Sequence, residues 1–227
     1  MSEQTPRTLN HYALVAFKDA YFALASNARI TVHREWLAAL NKAAQKVCIF
    51  QSAESGADLL IWSAVQAQEM QATAEFFERF ARACSPYRHL IDIKRSLWGF
   101  TRPSQYTKSR STQEIDPFAK TRKRYLVIYP FVKTVEWYLI SLEARQGMMN
   151  EHIRIGKQYK EIKQLLLYSF GVQDQEFVVV YEMDDLHQFS DLVNELRSSE
   201  ARRYTLRDTP LHTAIYHPAE ETLALWE

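Results

Sequence analysis

The chain has 227 residues, 47% of them apolar and 24% charged, with a formal net charge of +1. That balance allows a real core in one large domain or two small ones. It excludes a global electrostatic case for nucleic acid or an anionic membrane, and no window reaches the apolar length of a bilayer span.

In chain order, residues 1–10 are polar and lack the apolar core of a signal peptide, so a soluble, cytoplasmic protein is expected. Residues 12–17 (YALVAF) read as a strand. Residues 34–46 place Trp36, Leu37, Leu40 and Ala44 at helical spacing. Residues 47–51 (VCIFQ) are strand-like, Ser55-Gly56 marks a turn, and 57–65 (ADLLIWSAV) read as the next strand. Residues 68–83 are predicted helical, with Met70, Phe76, Phe77 and Phe80 as the apolar stripe, and 90–100 return as a strand.

The second half repeats the order. Strand 125–131 (YLVIYPF), helix 141–158, strand 163–170 (KQLLLYSF), a turn begun by Gly171, strand 175–182 (QEFVVVYE) and helix 186–197 lead to strand character over 204–216, broken by Pro210. Strand, helix, strand, strand, helix, strand is the split βαβ order of a ferredoxin-like unit. Two such units must cover each other's apolar faces, which predicts an α+β fold of two ferredoxin-like units forming a dimeric α+β barrel. The halves are taken as residues 1–107 and 125–227, joined by a linker loop at 108–124. The whole polar stretch 101–124 is either a mobile lid or a crossing connection. Its run Lys120-Thr121-Arg122-Lys123-Arg124 reads first as a solvated face and second as a binder of anionic groups.

Few other signals carry chemistry. Cys48 and Cys84 fit no metal or redox spacing and read as buried, reduced thiols. With only 5 glycines there is no phosphate-cradling loop, and neither a nucleophile elbow nor a zinc spacing is present. His11, His33, His89, His187, His212 and His217 are scattered and read as surface or core polar residues, and the Trp residues as core and interface anchors.

Four stretches in the second half change the picture. They are Tyr129-Pro130-Phe131-Val132-Lys133 with Trp137-Tyr138; Met148-Met149-Asn150-Glu151-His152 with Gly156 and Tyr159; Tyr168-Ser169-Phe170-Gly171 with Asp174-Gln175-Glu176-Phe177; and Glu200-Ala201-Arg202-Arg203-Tyr204 with Thr209-Pro210. In the first half only Phe100-Thr101-Arg102-Pro103-Ser104-Gln105-Tyr106 is similar. Together they resemble the chlorite dismutase and coproheme decarboxylase family of the chlorite dismutase-like superfamily of haem proteins.

The resemblance implies a haem-dependent oxidoreductase like the peroxide-dependent coproheme decarboxylases. Haem b or coproheme would be the iron porphyrin, hydrogen peroxide the oxidant, and a homopentamer the assembly. His152 would be the axial iron ligand, sharing a helix face with Met148 and Met149. Glu200 matches the carboxylate that would orient its second ring nitrogen. Tyr129 matches the tyrosine that relays oxidation to a propionate, and Lys133 the lysine that holds it. Strand alternation puts Tyr129, Phe131 and Lys133 on one side; Phe131 departs from the usual methionine. On the distal side, alignment on the following Tyr-Ser-Phe-Gly selects Gln164, whereas counting from His152 selects Leu165. Neither is the arginine with which chlorite dismutases hold their oxyanion, which speaks against chlorite turnover. The alternatives are a haem carrier, sensor or weak peroxidase without decarboxylation, and a module that has lost haem.

Overall fold

The structure is a computed structural model that describes residues 7–107 and 111–227. Residues 1–6 of the polar N-terminus and the first three residues of the 108–124 linker lie outside the described residues. The elements of the first half are β1 (Thr8–Phe17), α1 (Asp19–Phe22), α2 (Ser26–Ala43), β2 (Lys46–Ser52), β3 (Leu59–Gln66), α3 (Ala72–Cys84) and β4 (Ile91–Phe100). Those of the second are β5 (Tyr125–Lys133), α4 (Val135–Leu139), α5 (Leu142–Gly156), β6 (Lys163–Tyr168), β7 (Phe177–Met183), α6 (Leu186–Arg197), β8 (Thr205–Arg207), β9 (His212–Tyr216) and α7 (Ala219–Ala224), with a 3-10 turn at Glu200–Tyr204.

The strands run β7-β6-β4-β1-β3-β2-β9-β5-β8, and an additional β7–β5 pairing closes the sheet on itself. Each half contributes four strands in the same spatial order, β4-β1-β3-β2 and β9-β5-β7-β6, so the duplicated pattern is a duplicated ferredoxin-like unit and the fold class is α+β. The seams between halves are narrow. At one, Phe50, Gln51 and Ser52 pair with Tyr216, Ile215 and Ala214. At the other, the ladder is the single pair Phe100–Tyr168, and side chains finish it. The Ser169 hydroxyl donates to Trp98 O at 2.6 Å, and Gln173 accepts from Trp98 N–H at 2.8 Å. Gly99 is required there, because a Cβ would sit 2.6 Å from Ser169 Oγ and 2.8 Å from Tyr168 O.

Alternation sorts the side chains. Tyr12, Leu14, Phe50, Leu60, Trp62, Leu126, Ile128, Leu165, Leu167, Val178 and Val180 fill the barrel interior. Leu9, Ala13, Val15, Leu59, Ile61 and Val65 point outward in the first half and are covered by Trp36 and Leu40 of α2 and Phe76 and Phe80 of α3. Burying each such side chain contributes ~1.5–3 kcal/mol.

Local differences from the sequence reading have local causes. Helix α2 starts eight residues before the expected position at 34, through Ile30-Thr31-Val32, a β-branched run that masks helical character. Met70 does not join the α3 stripe: the helix begins at Ala72, and Met70 is 96% exposed in the preceding turn. Helix α6 forms at 186–197 as read, because Asp185 caps it by accepting from the N–H groups of His187 and Gln188 at 2.8 and 3.4 Å. Cys48 and Cys84 are buried free thiols.

The described part of the connection is a fastener. Gln113 donates its side-chain amide to the carbonyls of Gly156, Tyr159 and Ile162, at 3.2, 2.9 and 3.0 Å. Ile115 is buried in the barrel interior. The basic run is not simply a solvated face. Arg122 is buried, pairs with buried Glu182 at 3.1 Å, and lies 4.7 Å over the Trp62 ring.

Candidate functional site

The candidate site lies on the outer face of the second half's sheet. Residues directly opposite one another in antiparallel register share a face. The register therefore lays out three rows across β5, β7 and β6: Phe131, Phe177 and Tyr168; Tyr129, Val179 and Leu166; Val127, Tyr181 and Gln164. Val127 and Tyr181 are buried beneath Ile155 of α5 and Phe189 and Leu192 of α6. No member of the other two rows is fully buried, and Leu166 is 43% exposed. Beside them Phe170 packs on Phe177 with ring centroids 4.9 Å apart, yet remains 42% exposed.

Helix α5 forms the other wall. Ser141 caps it, accepting from Ala144 N–H at 3.2 Å. Its only buried residue is Ile155, which anchors the C-terminal end to the sheet. Arg145, Met148, Met149 and His152 lie toward the N-terminus at helical spacing from it and stay half-buried.

His152 sits one turn before Ile155 and makes no hydrogen bond among the described residues. Burial, reinforced by the nearby Lys133 ammonium, lowers its pKa to about 4. The ring is neutral at physiological pH, with a lone pair free to coordinate. Lys133 reaches toward the same place: its Nζ lies 4.1 Å over the Trp137 ring, 5.2 Å over Phe131 and 3.4 Å from Ala201 O. Burial lowers its pKa to about 8. Tyr129 is held with its phenol ionisation well above the usual range, first by burial and then by Tyr181.

The strand parity separates the two distal candidates. Leu165 is buried in the barrel interior, while Gln164 points outward and is exposed. The Gln164 backbone is fixed by the connection, donating to Gln113 O at 2.8 Å and accepting from Ile115 N–H at 3.0 Å. Glu200 is not brought to His152. Its carboxylate, 60% exposed, faces Arg203 at 3.4 Å, because the 3-10 turn aims it outward along its own turn. That turn meets α5 through backbone instead, Glu200 N–H donating to Glu151 at 3.1 Å.

Some residues beside the site were given no role by the sequence reading. Arg145 lies two turns before His152 on the same helix stripe, and that spacing was the available signal. Tyr106 is tied to α5 by Gln146, which donates to its carbonyl at 3.2 Å, and Arg102 lies 5.2 Å over the Tyr168 ring. Tyr181 carried no signal beyond strand alternation.

The arrangement suits a flat, largely apolar group carrying a metal and acidic substituents. The outer rows of the sheet and the Met148, Met149 and His152 stretch of α5 are half-buried or exposed, and the neutral imidazole of His152 lies near the Lys133 ammonium. The described residues contain no group of three or more His, Cys, Asp or Glu that could hold a metal ion by itself. No helix among them is long and apolar enough to cross a membrane.

Comparison with known proteins identifies the family. The family model "Chlorite dismutase" matches residues 26–216. A coproheme decarboxylase of Mycolicibacterium smegmatis is 31% identical over 74% of this chain and 71% of its own length. One from Staphylococcus saprophyticus is 30% identical over 63% of this chain and 62% of its own length. The solved chlorite dismutase of Candidatus Nitrospira defluvii in complex with imidazole superposes with a TM-score of 0.81 at 20% identity, covering 96% of this chain and 94% of that one. The chain belongs to the chlorite dismutase family.

Proposed function

We propose, from that membership, that the protein is a peroxide-dependent coproheme decarboxylase. The observation that carries the reading is the unpartnered, neutral imidazole of His152 opposite a half-open aromatic sheet face. The similarity to two coproheme decarboxylases supports the substrate.

In this reading coproheme is both substrate and cofactor, and His152 holds its iron from α5. When bound, the iron porphyrin would supply the redox chemistry by which a propionate gives up two electrons, losing its carboxyl as carbon dioxide and a β-hydrogen to leave a vinyl group, while hydrogen peroxide takes those electrons and two protons to become two waters. The chain's own residues position and protonate. Met148 and Met149 give His152 an apolar wall that excludes water and keeps it neutral. Lys133 binds a propionate: an adjacent carboxylate offsets the burial that lowers its pKa to about 8 and holds it charged. Tyr129 stays protonated until oxidised, because burial disfavours its phenolate. Gln164 presents a neutral amide to the oxidant from the exposed end of its row. Strand β6 carries no arginine, and a neutral distal group stabilises a developing oxyanion poorly, so chlorite turnover is not part of the reading. The pentamer of the resemblance is part of it, and light scattering checks the assembly.

The test is to add coproheme and hydrogen peroxide and follow the porphyrin by mass. Stepwise loss of carboxyl groups is expected. Tight binding without mass loss assigns the protein instead as a haem carrier, sensor or weak peroxidase; no porphyrin binding removes both readings.

A further inference from the structure

The connection between the halves meets both α5 and β6 at one residue. The Gln113 carbonyl accepts the Gln164 N–H of β6 at 2.8 Å, and Ile115 N–H donates to Gln164 O at 3.0 Å. Glu114 thus lies beside Gln164 in a parallel bridge. The Gln113 side chain turns to α5 instead. Its amide donates to the carbonyl of Gly156, the last residue of α5, at 3.2 Å. It also donates to Tyr159 O and Ile162 O, in the turns that lead from α5 into β6, at 2.9 and 3.0 Å.

A helix leaves its last carbonyls without intrahelical partners. Here successive turns satisfy part of the need, Tyr159 N–H donating to Gly156 O at 3.1 Å and Ile162 N–H to Tyr159 O at 3.0 Å. The Gln113 amide gathers the three carbonyls onto one donor group. The residue is itself held on both sides. Its N–H donates to Ser111 Oγ at 3.1 Å, and Ile115 is buried in the barrel interior. Helix α5 needs such a tie, because Ile155 is its only buried residue. His152 stands four residues before Gly156, about one helical turn. One residue from the connection therefore holds the end of the helix that carries His152 and the edge of the strand that carries Gln164.

We propose that Gln113 is a positioning residue, its amide and its carbonyl together fixing α5 against β6 and so the place of the His152 imidazole relative to Gln164. This rests on the reading above for the roles of His152 and Gln164, and the experiment separates the two. Gln113→Ala removes the amide and keeps the backbone contact with Gln164. Gln113→Glu keeps the length and turns a carboxylate onto three carbonyl oxygens, which it cannot serve as a donor.

In porphyrin-free protein, both variants are expected to speed hydrogen exchange at the Tyr159 and Ile162 amides about tenfold, the scale of one neutral hydrogen bond. The Ala44 amide, bonded to Leu40 O at the end of α2, is the control and is expected to keep its rate. Equal acceleration at both places, or none at either, overturns the clamp, whatever the reaction is. In the coproheme-loaded protein the variants are expected to shift the iron–imidazole stretching band and to lower kcat about tenfold with porphyrin still bound. An unmoved band and an unchanged kcat overturn the positioning role, since a merely structural tie would lower stability alone. If His152→Ala leaves the porphyrin spectrum unchanged, the reading of the site fails, while faster exchange at Tyr159 and Ile162 still supports the clamp.

Discussion

The two halves share a strand order and differ in how their outer faces are closed. In the first half Leu9, His11, Ala13, Val15, Leu59, Ile61 and Val65 are all buried under α2 and α3. In the second half two of the three rows stay half-buried or exposed, and α5 buries Ile155 alone where α2 buries His33, Trp36, Leu40 and Ala43. The same architecture is thus a sealed core on one side and an incompletely covered face on the other. The difference lies in the helix: Trp36 fills the space over its sheet, whereas the equivalent stretch of α5 offers Met148, Met149 and His152. Buried apolar packing is concentrated where the face is closed, and the proposed ligand site lies where it is not.

Breaking the incompletely covered side should cost function without fold. His152→Ala is expected to abolish axial ligation and lower haem and coproheme affinity by orders of magnitude, seen as loss of the wild-type absorption spectrum on titration. Its thermal midpoint without porphyrin should stay near wild type; an unchanged spectrum would remove the imidazole as ligand. Breaking the sealed side should do the reverse. Trp36→Ala, at 0% exposure, is expected to cost about 3–5 kcal/mol in denaturant unfolding.

The closure between halves offers two smaller tests. Arg122→Ala leaves Glu182 buried and unpaired, and a loss of about 3–5 kcal/mol is expected, discounted where Glu182 takes up a proton. Gly99→Ala forces Ser169 and the Tyr168 backbone apart at the one-pair seam, and about 1–3 kcal/mol is expected.

The last effect appears only as pH falls. His11 is caged by Phe76, Phe77 and Phe80, with ring centroids 5.4, 5.7 and 4.7 Å away, and burial lowers its pKa from 6.5 to about 4. The folded state refuses a proton that the unfolded chain accepts, so this contribution is intact above 6.5 and is lost as pH falls toward 4. His11→Phe is expected to flatten that part of the stability-against-pH curve; an unaltered slope would show that His11 is protonated in the fold.

Much of this was legible in the sequence because it is local. Alternating apolar residues set the strands, and the repeated element order set a duplicated unit. His152, Tyr129, Lys133 and Gln164 were named from motifs, and their faces follow from periods of 3.6 and 2. What escaped depends on residues far apart in the chain. Arg122 reads as one more surface cation until the barrel puts Glu182 and Trp62 around it. Gly99 reads as an ordinary strand glycine until Ser169 approaches its Cα. Glu200 matches a motif position, yet its carboxylate faces Arg203 of its own turn, and His152 makes no hydrogen bond among the described residues. Periodicity can say which side of an element is apolar. Whether a facing element fills that side or leaves it open is decided by volumes and distances between segments that only the closed barrel brings together, and that decision left His152 half-buried and Trp36 sealed.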